Sequence, residues 1–288
     1  MDLMSKVRAM STKIRQPAVA GMFYPEKKSL LDQDLAYLLE ESRDFHLPGK
    51  IIALIVPHAG YTYSGGVAAR AYRQVLDQDI DTVVVIAPSH CEYFTEISVY
   101  DGYAYTTPLG SVLVDQDLAR SLSEMSPQII LSEKGHRFDE HALEVQLPFL
   151  QKVLPNFRLL PIVMGEHSQE NIDVLSASLA QVLKNEKALL VASTDLSHFY
   201  NADKAMELDQ VVVQHIEAFN ENQLFIDIQS GKCEMCGGGP AIAVMKTAKL
   251  FGADQTKLLL YRNSGDISGE QLEVVGYLSA VLYRSQNN

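Results

Sequence analysis

The 288-residue chain contains no tryptophan and only three cysteines, Cys91, Cys233 and Cys236. Three cysteines are too few to build a disulfide scaffold. An odd number without a secretory signal fits a reducing compartment. We therefore expect a cytoplasmic protein whose cysteines are free thiols or metal ligands.

Positive charge is also scarce, because 24 lysines and arginines face 36 aspartates and glutamates, for a net charge of −12. This balance disfavours a nucleic acid partner, whose phosphates require a basic face. No uncharged apolar stretch reaches membrane-spanning length. Residues 1–15 carry basic side chains but no apolar h-region, so we expect a flexible N-terminal tail and neither a signal peptide nor a membrane partner.

Hydrophobic residues are plentiful, at 47% of the chain, which suits a large buried core. Continuous apolar runs alternate with stretches of helical periodicity, and this pattern predicts an α/β domain over residues 16–285. We expect one mostly parallel sheet with helices on both faces. Strands are predicted at Ile51–Val56, Thr82–Ala87, Glu96–Thr107, Leu159–Met164, Ala188–Ala192, Lys257–Arg262 and Glu273–Tyr283. Because no helix separates the last two strands, an antiparallel edge is predicted there.

Three of the predicted buried strands end in residues that bind metals or transfer protons. His58 and His90 each follow a strand and a proline, and Asp195 and His198 follow a third strand. In an open parallel sheet, ligands bind outside the carboxyl ends of the strands. Imidazole is the commonest protein ligand for such metals as iron, copper and zinc. The pattern favours one shared site over separate loop histidines that bond only to backbone.

Cys236 begins the run Cys236-Gly237-Gly238-Gly239-Pro240, which leads into a predicted helix. The N–H groups at a helix N-terminus favour a negative charge, so we expect a lowered pKa for this thiol and a role as metal ligand or nucleophile. A phosphate cradle is the competing interpretation, but no Lys-Ser/Thr pair follows the glycines. A small buried cysteine at a helix start is the structural alternative.

Four further residues are candidates for acid–base chemistry near the same site. Asp195 and His198 lie three apart, and we expect the carboxylate to orient the imidazole for proton transfer. His141 and Glu144 lie at positions i and i+3 of a helix predicted over Phe138–Leu154, and hence on one face of it. A loop Asp that caps the next turn, and a solvated helix face, are the alternatives.

Several short motifs, in this order along the chain, together resemble the Memo family, from about Gln16 to Tyr283. They are Pro57-His58-Ala59-Gly60-Tyr61, Pro88-Ser89-His90, Asp139-Glu140-His141-Ala142-Leu143-Glu144, Ser193-Thr194-Asp195-Leu196-Ser197-His198 and Cys236-Gly237-Gly238. The eukaryotic member of this family is a mediator of cell motility, and its prokaryotic members are called AmmeMemoRadiSam system protein B. The resemblance implies the fold of class III extradiol dioxygenases, which use non-haem Fe(II).

By this resemblance, the metal ligands are His58, His90 and Cys236, with Asp195 and His198 nearby. Extradiol dioxygenases use a carboxylate as third ligand, and a thiolate in its place shifts the preference toward copper or zinc and is itself oxidisable. We expect Fe(II), with copper as the alternative and zinc as a third option. The prokaryotic name further implies a radical S-adenosylmethionine protein and an AMMECR-type component as partners.

Three functional hypotheses follow. The first is a metal-dependent, dioxygenase-like oxidoreductase that acts on an unidentified small substrate. The second is a catalytically silent module that binds a phosphorylated or anionic peptide or ligand in the same pocket, and the glycine-rich helix start at Cys236 is compatible with it. Separately, Arg262 ends a predicted strand, and an arginine at the pocket would suit an anionic substrate. The third is a hydrolase with Cys236 as nucleophile and His198 as base.

Overall fold

The computed structural model describes residues 11–137 and 139–286, and its main feature is a nine-stranded sheet with helices on both faces. The helices are α1 (Lys28–Glu40), α2 (Gly66–Arg73), α3 (Gln116–Ser123), α4 (Leu147–Val153), α5 (Gln169–Val182), α6 (Ala202–Glu217), α7 (Glu221–Gln229), α8 (Gly238–Leu250) and α9 (Gly265–Ser268). The strands are β1 (Ile14–Arg15), β2 (Gly49–Val56), β3 (Thr82–Pro88), β4 (Ile97–Tyr100), β5 (Ala104–Thr107), β6 (Gly110–Leu113), β7 (Ile129–Ser132), β8 (Arg158–Met164), β9 (Ala188–Ser193), β10 (His198–Tyr200), β11 (Gln255–Asn263) and β12 (Val274–Ser285).

The centre of the large sheet is parallel, in the order β2-β9-β3-β8. These strands are the continuous apolar runs of the sequence, as expected for strands buried on both faces. The mostly parallel α/β architecture is therefore confirmed. β12 pairs antiparallel with both β11 and β2, so the predicted antiparallel edge is present, with β11 on the outer side of β12.

The two faces of the sheet carry separate hydrophobic cores. Along β3, Val83 and Val85 point into one core while Val84 and Ile86 point into the other, as the period of two in a strand requires. α1, α2 and α4 pack on the first face, and α3, α5, α6 and α8 pack on the second. This sandwich fixes the carboxyl ends of the central strands, where the candidate site lies.

The helix predicted over Phe138–Leu154 is wrong in its first half. Phe138 lies outside the described residues, Asp139 is exposed in a turn and caps no helix, and the helix proper is α4, preceded by a 3-10 turn at Glu144–Gln146. The Glu140 carboxylate accepts hydrogen bonds from the backbone N–H groups of His141 and Ala142. Such side-chain acceptors compete with helical bonding and delay the helix.

The predicted strand region Glu96–Thr107 divides into two strands in different sheets. β4 joins the large sheet between β8 and β7, whereas β5 pairs with β1 and β6 in a three-stranded sheet. Residues 1–10 of the predicted tail lie outside the described residues, but Ile14–Arg15 forms β1 and Arg15 is buried. None of the described helices combines the length and the apolar character that crossing a membrane requires.

Candidate metal centre

Three adjacent strands deliver the candidate residues to one edge of the sheet. His58 follows β2, Asp195 follows β9 and His90 follows β3, and these strands are neighbours in the order β2-β9-β3. Cys236 arrives from the turn before α8. The ligand atoms of His58, His90 and Cys236 all lie within 4.8 Å of one another. The structure thus brings together the three residues predicted as metal ligands.

The spacing of these three residues suits a single cation. His58 Nε2 lies 3.2 Å from Cys236 Sγ, and the rings of His58 and His90 have centroids 5.0 Å apart. Nitrogen and sulfur ligands bind metals such as zinc at about 2.0–2.3 Å, so donors around one ion lie about 3–4 Å apart. Two imidazoles and a thiol at this separation fit a transition metal after small side-chain adjustments.

His58 is buried, and its ring is fixed from behind. Its Nδ1 lies 3.0 Å from Ser193 Oγ, and its backbone N–H donates to Asp195 Oδ1 at 2.8 Å. Burial lowers the pKa of His58 well below its usual value, and the nearby His90 and His141 lower it further. The ring is therefore neutral at physiological pH, which is the form that binds metals.

His90 is held by Glu140, a residue that stands out in the sequence only as part of a longer motif. The Nδ1 of His90 lies 3.1 Å from Glu140 Oε1, and its backbone N–H donates to Glu140 Oε2 at 2.5 Å. Burial acts to lower the pKa of His90, but the hydrogen bond and charge of Glu140 outweigh it and the pKa is raised. When the ring is neutral and Nδ1–H is donated to the carboxylate, the lone pair is on Nε2, where a metal could bind.

Cys236 is held close to the ends of β2 and β9. Its Sγ accepts a hydrogen bond from the Asp195 backbone N–H at 3.2 Å. Burial, with a smaller effect from Asp195, raises the pKa of the thiol to about 12. The expected lowering of this pKa was therefore wrong, because loss of hydration outweighs the hydrogen bonds with Asp195, Thr194 and Gly237 that act to lower it. The thiol is protonated in the metal-free protein, and a bound cation would displace that proton.

Asp195 and His198 lie at the site, but they do not pair as expected. His198 Nδ1 lies 2.7 Å from the backbone carbonyl of Leu196, so this carbonyl, and not Asp195, orients the ring. Asp195 is buried, and its Oδ2 lies 3.9 Å from His58 Nε2. Burial raises the pKa of Asp195 to about 7, although the backbone N–H groups of His58 and Ala59 oppose the increase.

His141 and Glu144, predicted to share a helix face, have separate surroundings. The His141 ring stacks on His90 with centroids 4.9 Å apart and lies 5.5 Å from the His58 ring. Glu144 is fully buried and bonds to the Arg15 guanidinium and to the Tyr24 hydroxyl, so it anchors the N-terminal segment and contacts none of the three ligands. The structure therefore places His141 beside two of the predicted ligands and Glu144 away from all three.

A second group of metal-capable residues, His90, Glu140 and His141, shares His90 with the first. The carboxylate of Glu140 already accepts hydrogen bonds from four backbone N–H groups and faces His90 Nδ1. Because these donors use its oxygen lone pairs, Glu140 is a poor metal ligand. We interpret it as the support of His90 and not as part of a second metal site.

Sequence reasoning missed some polar residues behind the ligands. Ser193, Gln146 and Glu140 are all buried, and their roles depend on tertiary contacts that spacing along the chain does not reveal. His167, which no sequence motif singles out, follows β8 and packs so closely on Gly239 that a Cβ there would lie 2.7 Å from its ring. The position of His167 shortly after a central strand was the one sequence feature that could have indicated a place near the site.

Comparison with known proteins gives consistent results. A family model described as Memo-like protein matches residues 15–281. A MEMO1 family protein of Methanocaldococcus jannaschii is 37% identical over 287 residues, covering 94% of this chain and 99% of that protein. A MEMO1 family protein of Aquifex aeolicus is 37% identical over 272 residues, covering 93% of this chain and 99% of that protein.

Among solved structures, an uncharacterized protein from Escherichia coli K12 has a similar fold. The TM-score is 0.51 at 14% sequence identity, with 81% of this chain and 99% of that chain covered. At this identity the likeness concerns the fold alone.

Proposed function

This chain belongs to the Memo family, and we propose that it is a metal-dependent oxidoreductase whose cation is held by His58, His90 and Cys236. The family membership confirms the resemblance seen in the sequence motifs. The observation that carries the proposal is the convergence of three donor side chains, from positions 58, 90 and 236, within 4.8 Å of one another.

The electrostatic surroundings favour a cation over an anion at this point. Glu140 and Asp195 are buried carboxyl groups in contact with His90 and His58. Two imidazoles and one thiolate would carry one negative charge in total, which suits a divalent or monovalent transition metal. Fe(II) is the metal we propose, with copper as the alternative. Such a metal would supply the redox chemistry that the side chains themselves lack.

His198 is the residue we assign to proton transfer. Its Nδ1–H is donated to the Leu196 carbonyl at 2.7 Å, so its Nε2 carries a lone pair. Burial lowers the pKa of His198, which keeps the ring neutral and able to accept a proton near pH 7. His141, with Phe23 packed at a centroid distance of 4.5 Å, forms a wall beside the ligands.

The anionic-ligand hypothesis receives less support from the same contacts. Arg262, the residue suggested to bind an anion, is exposed on β11, whereas the groups in contact with the three ligands include two buried carboxyls. The hydrolase hypothesis is also weakened, because the Cys236 thiol has a raised pKa and its imidazole neighbour at 3.2 Å is His58. The radical S-adenosylmethionine protein and the AMMECR-type component stay predictions.

The proposal is tested by metal analysis of protein purified without oxygen. We expect near-stoichiometric iron or copper in the wild type, and loss of most of it in His58→Ala, His90→Ala and Cys236→Ser. His46→Ala, which removes an exposed histidine outside the site, serves as the matched control and should retain the metal. Oxygen uptake with a panel of catechols then tests the redox activity. Equal metal content in all four variants would refute the metal site.

A further inference from the structure

The hydroxyl of Ser193 lies among three polar groups behind His58. Its Oγ is 2.5 Å from the backbone carbonyl oxygen of Ala142, 2.8 Å from Gln146 Nε2 and 3.0 Å from His58 Nδ1. Ser193 is fully buried, so bulk solvent does not compete for its hydrogen bonds. A carbonyl oxygen carries no hydrogen, and two oxygens at 2.5 Å repel unless one donates. The single hydrogen of Ser193 must therefore point to Ala142.

The orientation of Gln146 is fixed independently by its other contacts. Its Nε2 also lies 2.9 Å from the Pro57 carbonyl oxygen, which can only accept, and its Oε1 accepts from the Tyr72 hydroxyl at 2.8 Å. Gln146 therefore donates to Ser193 and does not accept from it. The Ser193 hydroxyl thus donates to Ala142 and accepts from Gln146. Toward His58 it has only a lone pair left, so His58 Nδ1 must carry the hydrogen.

We infer that Ser193 is a positioning residue that holds His58 in the tautomer with hydrogen on Nδ1 and a lone pair on Nε2. Nε2 is the nitrogen that lies 3.2 Å from Cys236 Sγ. In the opposite tautomer this nitrogen would carry a hydrogen and would not bind a cation. The polar groups behind the ring thus prepare the nitrogen that faces the sulfur before any metal binds.

The same hydrogen assignment excludes a competing interpretation of the Ser193–His58 pair. A serine nucleophile must give its proton to the histidine and must be reached by a substrate. Ser193 donates its hydrogen away from His58, and its side chain is fully buried. The pair is therefore a support for the imidazole and not a catalytic dyad.

The tautomer is tested by NMR on metal-free, full-length protein labelled with ¹⁵N-histidine at pH 8. Long-range ¹H–¹⁵N correlations distinguish the protonated from the unprotonated ring nitrogen, and the His58 signals are assigned by their absence in His58→Gln. We expect the Nδ1–H form in the wild type and a shift toward the Nε2–H form in Ser193→Ala. Ser279→Ala is the matched control, because this buried strand serine has a hydroxyl without a partner among the described residues.

A wild-type spectrum with hydrogen on Nε2 would overturn the inference, and it decides the question even if Ser193→Ala does not fold. An unchanged His58 tautomer in a folded Ser193→Ala variant would also overturn it. These readouts need no metal, so they remain decisive if the metal proposal fails.

The consequence for the metal rests on the proposed function and is measured separately. Co(II) is titrated into each variant, and its thiolate absorption band reports binding at Cys236. We expect Ser193→Ala to weaken Co(II) binding about tenfold or more, the usual effect of removing a partner of a ligand histidine, and Ser279→Ala to leave it unchanged. Absence of Co(II) binding by the wild type would count against the proposed function. The tautomer of His58 is decided by the NMR spectra alone, whatever the result with Co(II).

Discussion

At the scale of single residues, Glu140 shows how one buried carboxylate organises two loops at once. It accepts the backbone N–H groups of His90 and Cys91 from one loop and those of His141 and Ala142 from another. Burial would raise its pKa, but the hydrogen bonds and charge of His90 together with the backbone N–H groups lower it to about 2. Glu140 is therefore ionised wherever the protein is folded near neutral pH.

We predict that Glu140→Gln weakens metal binding about tenfold or more, because His90 loses the acceptor that orients it. The free energy of unfolding should also fall by about 1–3 kcal/mol, since the buried N–H groups then face an amide that has only one acceptor oxygen. Metal titration and urea unfolding measure the two effects. Glu144→Gln is the control, because Glu144 is equally buried but contacts Arg15 and Tyr24. Glu144→Gln should lower the stability of the fold and leave metal affinity unchanged. An equal loss of metal affinity in both variants would contradict the role of Glu140 as the support of His90.

The residues proposed as metal ligands could be selected from the sequence, whereas the residues that support them could not. His58 and His90 follow apolar runs, and the carboxyl ends of parallel strands meet at one edge, so local pattern and general topology suffice. Ser193 and Glu140 act through hydrogen bonds to residues 135 and 50 positions away. No periodicity or spacing encodes such pairs. The expected partnership of Asp195 with His198 failed because Asp195 instead accepts from the backbone N–H of His58, 137 positions away, while His198 bonds to the Leu196 carbonyl.

At the scale of elements, the buried strands were predicted within a few residues, because strands covered on both faces need continuous apolar sequence. The elements missed include the short strands β1, β6 and β7 and two local exceptions. β10 is three residues long and contains Phe199 at φ 63°, a left-handed conformation uncommon for an aromatic residue. The π-helical turn Tyr61–Gly65, which follows His58, has no sequence signature of its own.

The turn before α8 gives a prediction for the element that carries the sulfur. A Cβ on Gly237 would lie 2.3 Å from the Ser193 carbonyl oxygen and 2.6 Å from Thr194 Cβ, so the backbone must shift. We predict that Gly237→Ala lowers the free energy of unfolding by about 1–3 kcal/mol and displaces the neighbouring Cys236, with a matching loss of metal. Chemical unfolding and metal analysis measure both effects.

Gly66→Ala is the matched control for this substitution. Gly66 begins α2 at an ordinary helical φ, and nothing lies within 4 Å of the position that an added Cβ would take. Alanine there should be neutral or stabilise the protein by up to about 1 kcal/mol. If Gly237→Ala behaved like Gly66→Ala, the close packing of the turn against β9 would not be what positions Cys236.

At the scale of the whole molecule, a buried histidine outside the site makes stability depend on pH. His136, which no sequence motif distinguishes from a surface or loop residue, is buried between the Tyr105 hydroxyl at 2.5 Å and the Ser98 carbonyl at 3.2 Å. Burial lowers its pKa to about 3, against 6.5 for the unperturbed side chain. Between these values the unfolded chain binds a proton that the folded protein does not, so its stability falls as the pH falls.

We predict that His136→Gln reduces the loss of folding stability that accompanies a fall in pH. One proton difference changes the free energy of unfolding by about 1.4 kcal/mol per pH unit, so from pH 6.5 to 4.5 His136 accounts for about 2–3 kcal/mol. Urea unfolding at pH 7, 5.5 and 4.5 compares the two proteins, and the slope with pH is the readout, whatever the variant's stability at pH 7. Identical slopes would show that His136 takes up its proton equally in the folded and unfolded states.

The order of the three proposed ligands along the chain would determine when a cation can bind. His58 and His90 are synthesised long before Cys236, and β12, which completes the pairing of β2, follows last. A nascent chain on the ribosome therefore has neither the sulfur nor the finished sheet that aligns the imidazoles. At the proposed metal site, loading would therefore follow synthesis, and the ion would enter a folded molecule. The His90 side chain is 31% exposed, against 1% for His58, so of these two imidazoles His90 is the one that an arriving cation would meet first.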